Sequence, residues 1–566
     1  MGGSPEPLRA LVGNDAWRWS TFQGSRTLVV AARTVTSTVR VLECLPALLR
    51  GDARVTVVFA HDPTSAFSEG VTDVLHDAGC RVLPWDRLGD IAPDLVLSAS
   101  ENIDVPDGDY PVLVLPHGVG FQKLVPDSRT PRSRLSGAVP DALLDTGRAW
   151  LATSHPDQER QLLAAHPKAA GHTLPVGDPC FDELLASRGH ADAYKAALGV
   201  AAGQRLVLVS STWGPTSLLG CAPELPARLL AALPCDEYRV AAVLHPNVWS
   251  AHGPWQIRTV QAAALDAGLL LVPPVHAWRS ALVAADAVVG DHGSVTLYGA
   301  ALGKPVLLGA YGSDAVPGTA VAQLARTAPR LDLDGDLGAQ LAAALREPSS
   351  SASAEVARLA FAEPGRALPR LRAALYRLIG LPEPPGDAPS ALVLPPPRAE
   401  SREVTSWAVT TSLTDGARPV VDVRRRPAAV SRADGDTSRT YTHLACDEAE
   451  RDRRLTESAS VLTAARPAPS AAAARRWAQD ALCRFPGALL AASAVAGGGE
   501  GGEVVVGLRD GRAVVVGTRE ATAPGLAAAV VYTCLRAGLP LETAVTLRLG
   551  TRSERHVTVT VRSASA

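Results

Sequence analysis

The chain has 566 residues, more than a single hydrophobic core usually serves, which predicts two to four domains. Apolar residues make up 47% and aromatics only 4%, so Ala, Val and Leu carry the cores; this favours parallel sheets under small-residue helices over an aromatic-cored β-sandwich. A formal net charge of −2 excludes a global basic field for nucleic acid, and the scattered cysteines form no zinc or disulfide spacing.

The N-terminus lacks the basic-then-apolar order of a secretory leader. No run reaches about 18 uninterrupted apolar residues. The expected location is the cytoplasm, with membrane contact at most peripheral, at the inner face.

Residues 27–33 (TLVVAAR) form a short apolar run, followed by an amphipathic helix over 34–50 with Val35, Val39, Leu42, Leu45 and Leu49 near helical spacing. Further strands are expected at 55–60, 81–85, 94–99, 111–116 and 149–154, with helices near 67–79 and 156–165. Short continuous apolar strands alternating with helices predict a parallel sheet buried on both faces. The rhythm restarts with strands at 205–211, 238–245, 268–274, 286–291 and 304–310. Two α/β lobes are therefore expected, over 20–195 and 196–379, the second sheet ending near 345. A polar break at 347–355 precedes a helical stretch near 355–379.

The proline-dense segment 380–400 reads as a semi-rigid linker without regular helix. Residues 401–566 are expected to form an accessory α+β domain, poorly periodic up to 465. There a helix begins at 471, and valine runs at 503–508 and 512–517 pair as a hairpin about Asp510-Gly511. A helix at 523–537 and strands near 543–549 and 555–562 follow, and the Gly-rich patch 497–502 reads as a loop. This tail is expected to fold apart from the lobes, so that a chain ending near 380 keeps its solubility.

Chemistry is expected at strand ends. His117, with Gly118 and Gly120, follows the strand at 111–116; glycine lets a ligand approach the backbone and imidazole can take a proton near neutral pH. His245 occupies the matching place in the second lobe, where a donor or cation could neutralise phosphate. Asp291, Gly293, Ser294 and Thr296 lead into a helix whose N-terminal N–H groups suit a phosphate. Ser211 and Thr212 form a hydroxyl-rich turn opening that lobe. Each has a plainer reading: a loop-capping histidine, or an N-cap serine worth about 1 kcal/mol. The run Asp422–Arg426 reads as a solvated basic edge rather than a polyanion site.

In chain order these segments resemble the CDP-glycerol glycerophosphotransferase family. PHGVGFQK (116–123) resembles its His-Gly loop through His117, Gly118 and Lys123, and GDPCFD (177–182) its "GYPRND" segment. SSTWG (210–214) resembles "APTWR", VLHP (243–246) resembles "LRxHP", and ADAVVGDHGSVTLYGAALGKP (285–305) resembles "ADxxITDYSS…D…KP". The match covers about 110–310. It implies a GT-B fold, two facing doubly wound lobes, with a C-terminal helix returning to the first lobe. It implies a transferase of teichoic-acid-type polymer synthesis that uses a nucleotide-diphospho donor, CDP-linked by preference, and a hydroxyl acceptor such as a polymer or lipid-linked chain. His117 would be the general base and His245 would steady the donor phosphate. Ser294, with the Asp291–Thr296 turn including Gly293, would hold the pyrophosphate, and Ser211 and Thr212 would line the same pocket. No cofactor or metal is implied. Three positions depart from the pattern: Gly293 for the first paired serine, Tyr298 for the following acid and Cys180 for an arginine. A nucleotide-sugar glycosyltransferase or epimerase, or a catalytically silent scaffold, are the alternative readings on this fold.

Overall fold

The computed structural model describes residues 8–10, 21–22, 24–126, 133–347, 351–431, 439–497, 502–518, 522–550 and 553–562. Two parallel sheets and one closed barrel organise them.

In the first lobe the strands lie in the order Leu8–Arg9, Arg81–Pro84, Val55–His61, Arg26–Ala32, Leu95–Ser98, Val112–Val114, Ala149–Thr153 and Thr173–Pro175, all parallel. From Arg26 to Thr153 this is the doubly wound order 3-2-1-4-5-6. Its reversal, between Arg26–Ala32 and Leu95–Ser98, opens a crevice at their C-terminal ends. Leu28 to Ala32 are fully buried, as a strand covered on both faces requires. The next helix, Val35–Leu48, starts at a capping box in which Thr34 accepts from Ser37 N at 3.2 Å.

The second lobe repeats the scheme with five parallel strands: Leu270–Val272, Tyr238–Leu244, Arg205–Ser211, Ala287–Gly290 and Val306–Leu308. Its reversal lies between Arg205–Ser211 and Ala287–Gly290, so Thr212 and the Asp291–Ser294 turn emerge at the crevice. The strands missing from the sequence reading, Leu8–Arg9, Thr173–Pro175 and a small hairpin of Leu124–Pro126 with Ser133–Leu135, are only two or three residues long.

The helical stretch expected near 355–379 is two helices, Ser351–Ala360 and Ala367–Ile379, so the polar break is shorter than expected. Pro364 and Gly365, the latter at φ +86°, separate them. Ala367–Ile379 crosses back to the first lobe, where Leu368, Leu371, Leu375, Tyr376 and Ile379 join the core of Leu28, Val30 and Leu45. The Tyr376 hydroxyl donates to Asp52 at 2.7 Å and Arg26 Nε to the Ile379 carbonyl at 3.0 Å.

Residues 381–399 carry no regular helix but are docked rather than spanning free space. Leu394 is buried in the second-lobe core, its N–H donating to Ser187 Oγ and its carbonyl accepting from Tyr194. A chain ending at 380 would therefore lose a core residue. We expect Leu394→Asp to lower the thermal midpoint of the full chain by several degrees, against an unchanged midpoint for exposed Leu392→Asp.

The tail, expected as an α+β domain, is a closed barrel of nine strands. Around the barrel run Ser406–Thr414, Val420–Pro427, Thr543–Leu549, Ser553–Arg562, Ala513–Thr518, Glu503–Leu508, Leu490–Val495, Val461–Thr463 and Thr440–Asp447. The hairpin forms as its sequence predicts, with Gly511 at φ +86°. The helix Pro524–Ala537 packs into the interior: Ala527 to Val531 are all fully buried, so no face of that stretch meets water, while Leu535 and Arg536 in its last turn are exposed. Its alanines let nine strands close around it. Among the strands unseen at 406–447, Val420–Pro427 buries Val421 and Val423 on either side of Asp422.

The Asp422–Arg426 run is not a solvated edge throughout. Arg425 donates twice to Asp236 of the second lobe and lies 5.4 Å over Trp407, docking the barrel there. Of the Gly-rich patch, 498–501 lie outside the described residues. No helix among the described residues is long and apolar enough to cross a membrane.

Candidate active site

A cavity of about 420 Å³ lies between the lobes at the two strand-order reversals. Its lining includes His117, Gly118, Ser211, Thr212, His245, Gly293 and Ser294. Asp291 and Thr296 are not part of that lining.

His117 follows Val112–Val114 by a short turn, and its side chain retains 35% exposure at the cavity wall. Burial holds the imidazole below its ordinary range, Glu101 opposes that, and Arg40 and Lys123 reinforce it. The ring is therefore neutral at pH 7 and able to accept a proton.

His245 caps the helix Pro246–Val260, its Nδ1 accepting from Asn247 N at 3.1 Å. In the neutral ring the remaining proton sits on Nε2, a donor. Burial, then Lys123 and His117, hold its pKa well below the usual value. The plain capping role and the donor role are thus compatible, because they use opposite nitrogens.

Ser294 begins the helix Ser294–Ala301, with Gly293 as N-cap. Its hydroxyl accepts from Val119 N at 3.3 Å, so the loop after His117 touches the second-lobe helix directly. A Cβ on Gly118 would stand 2.7 Å from Ser294 Oγ. Gly118→Ala is accordingly expected to push the lobes apart and weaken donor binding at least tenfold with little loss of thermal stability. Isothermal titration beside a melting curve checks this.

Asp291 is the base of the turn rather than a wall of the cavity. Fully buried, it accepts from Thr212 N, Leu218 N and Gly293 N at 2.8, 2.8 and 2.9 Å. Thr296 is also fully buried, its hydroxyl 3.4 Å from Ser210 Oγ. Both shape the site from beneath.

The three departures have structural accounts. A Cβ at Gly293 would meet Asp291 Oδ1 at 3.0 Å and Thr212 Cβ at 3.1 Å, so a serine there would need its neighbours to give by a few tenths of an ångström. Cys180 is fully buried, and the charges nearby come from Arg40, Asp178, Arg279 and Glu43. The Tyr298 hydroxyl donates to Asp178 at 2.7 Å and accepts from Arg40 Nη2 at 3.1 Å. That buried triad joins the first-lobe helix Val35–Leu48 to the second lobe.

Lys123, aligned in the sequence but given no role there, reaches across the cleft. Its Nζ lies 3.3 Å from Thr212 Oγ1 and 5.5 Å from the Trp213 ring centre. Burial lowers the Lys123 pKa, with Asp314 and Asp291 opposing; the amine shares the cavity lining with both histidines and a helix N-terminus, a setting that suits an anion. Among the described residues no cluster of three or more His, Cys, Asp or Glu side chains is placed to hold a metal ion.

No protein-family model matches this chain, and no curated protein matches it either. Solved structures similar to it include the wall teichoic acid polymerase TagF, 12% identical, covering 63% of this chain and 90% of that one at a TM-score of 0.42. A putative UDP-N-acetylglucosamine 2-epimerase from Listeria monocytogenes is 15% identical, covering 64% and 99% at a TM-score of 0.42. An S. aureus MnaA–UDP co-structure is 12% identical, covering 65% and 100% at a TM-score of 0.39. Likeness at this level leaves the site to be read from its own residues.

Proposed function

We propose that this protein is a transferase that moves a polyol-phosphate group from a nucleotide-diphospho donor to an acceptor hydroxyl. The observation that carries the reading is the convergence of His117, His245 and the Ser294 helix N-terminus on one interlobe cavity. Neutral His117 takes the acceptor's proton, and the acceptor oxygen attacks the donor's β-phosphorus. The bond to the nucleoside monophosphate breaks with its electron pair on the departing oxygen. Charge on the phosphates is met by His245 Nε2–H, Lys123 and the free N–H groups at Ser294. A CDP-linked donor is the favoured member of this class.

Transfer of a sugar on the same frame is the second reading. The engagement of Tyr298 with Asp178 and Arg40, where the resembled motif has an acid, speaks instead for a catalytically silent scaffold. Phosphorus NMR separates the two transfers: phosphotransfer releases a nucleoside monophosphate, whereas glycosyl transfer releases a nucleoside diphosphate. If neither is released from any donor in the presence of hydroxyl acceptors, the transferase reading is wrong.

The pH dependence follows from the sign of the shift. The pKa of His117 is held below the usual imidazole value, so the base form dominates above about pH 6.5. Turnover should be flat from pH 7 to 8 and fall as the medium becomes more acid. A rate that rises on acidification would contradict a neutral His117 base.

A further inference from the structure

The first-lobe wall holds a buried carboxylate that the transfer step above does not use. Glu101 is 6% exposed, follows the strand Leu95–Ser98, and lines the same cavity as His117. Its Oε1 accepts from Arg134 Nη1 at 2.8 Å, and its Oε2 lies 3.8 Å from His117 Nδ1. That second separation is too long for a hydrogen bond but short enough for strong attraction away from bulk water. The Nδ1 edge of the ring thus faces the loop that carries Glu101, and Nε2 is left for the cavity.

We propose that Glu101 is the positioning residue of His117: anchored by Arg134, its carboxylate selects the tautomer with the proton on Nδ1 and steadies the imidazolium formed during transfer. This rests on the reading of His117 as base. The acceptor's proton moves to Nε2, the new bond forms from the acceptor oxygen to phosphorus, and the leaving nucleotide takes the electron pair of the broken bond. Glu101 stays ionised throughout. The other charged and titratable groups facing His117 are Arg40, Lys123 and His245, the first two of which lower its proton affinity. Glu101 is thus the one counter-charge among them, and Arg134 tempers it.

The test uses the full chain carrying ¹³C-labelled histidine, with the His117 ring signal identified by its loss in His117→Asn. Titrated between pH 5 and 8 without substrate, Glu101→Gln should lower the proton affinity of His117 about tenfold. Arg134→Gln should raise it, because the carboxylate is freed from its cation. A change of less than about threefold in Glu101→Gln overturns the proposal. Should that variant fail to fold, the Arg134→Gln shift decides, and no rise there is equally fatal. The titration is independent of turnover: full activity in His117→Ala would sink the base reading while leaving the titration result intact.

Discussion

Replacing His117 by Ala is expected to cut turnover by about 10²–10⁴-fold while leaving donor affinity nearly unchanged. The expectation follows from where the residue stands. His117 belongs to the first-lobe wall, whereas Ser294 and His245, the groups proposed to meet the donor phosphates, belong to the second. Removing the ring takes away a proton acceptor and leaves the helix N-terminus intact. Steady-state rates beside donor titrations make the check. Full turnover in the variant would remove His117 from the chemistry. An equal loss of donor affinity would make it a binding residue instead.

Asp291→Ala is expected to destabilise the second lobe by about 3 kcal/mol or more, one of the largest single-site costs in the chain. Its carboxylate serves three backbone donors in a fully buried place, and Ala would leave Thr212, Leu218 and Gly293 without their acceptor. Denaturant midpoints followed by tryptophan fluorescence give the measurement. Ser294→Ala is the companion variant, with little change in midpoint and weaker donor binding. If Asp291→Ala kept its midpoint and lost only ligand, the residue would belong to the binding surface after all.

The lobes were legible because a strand buried on both faces writes itself as a continuous run, as RLVLVSS and YRVAAVL do at 205–211 and 238–244. The hairpin at Asp510-Gly511 was legible for an equally local reason, its turn chemistry. Placing His117 and His245 at strand ends required only the α/β rhythm, and both line the cavity. The barrel was not legible. Its early strands carry Thr and Arg at many positions, and its interior is set by a helix more than 60 residues further on, which no local period announces.

What the sequence hid about the site is likewise non-local. Arg40 and Tyr298 stand 258 positions apart, and nothing in the helix Val35–Leu48 marks Arg40 as inward-facing. Glu101 looks like a surface loop residue until Arg134 and His117 are placed around it. Asp291 and Thr296 show the converse, since neither side chain lines the cavity. Their chemistry suits a phosphate turn, but both point beneath it, because a turn so tight consumes its own polar side chains.

The central claim is that a nucleotide-diphospho donor binds between the lobes, and donor-induced thermal stabilisation tests it most directly. CDP-, UDP-, GDP- and ADP-linked donors would be compared on the full chain and on its His245→Ala and Ser294→Ala variants. One nucleotide series, the CDP-linked one by preference, should raise the melting temperature of the parent chain, and both variants should lose most of that rise. No rise with any series, or a rise that both variants retain in full, would contradict the account.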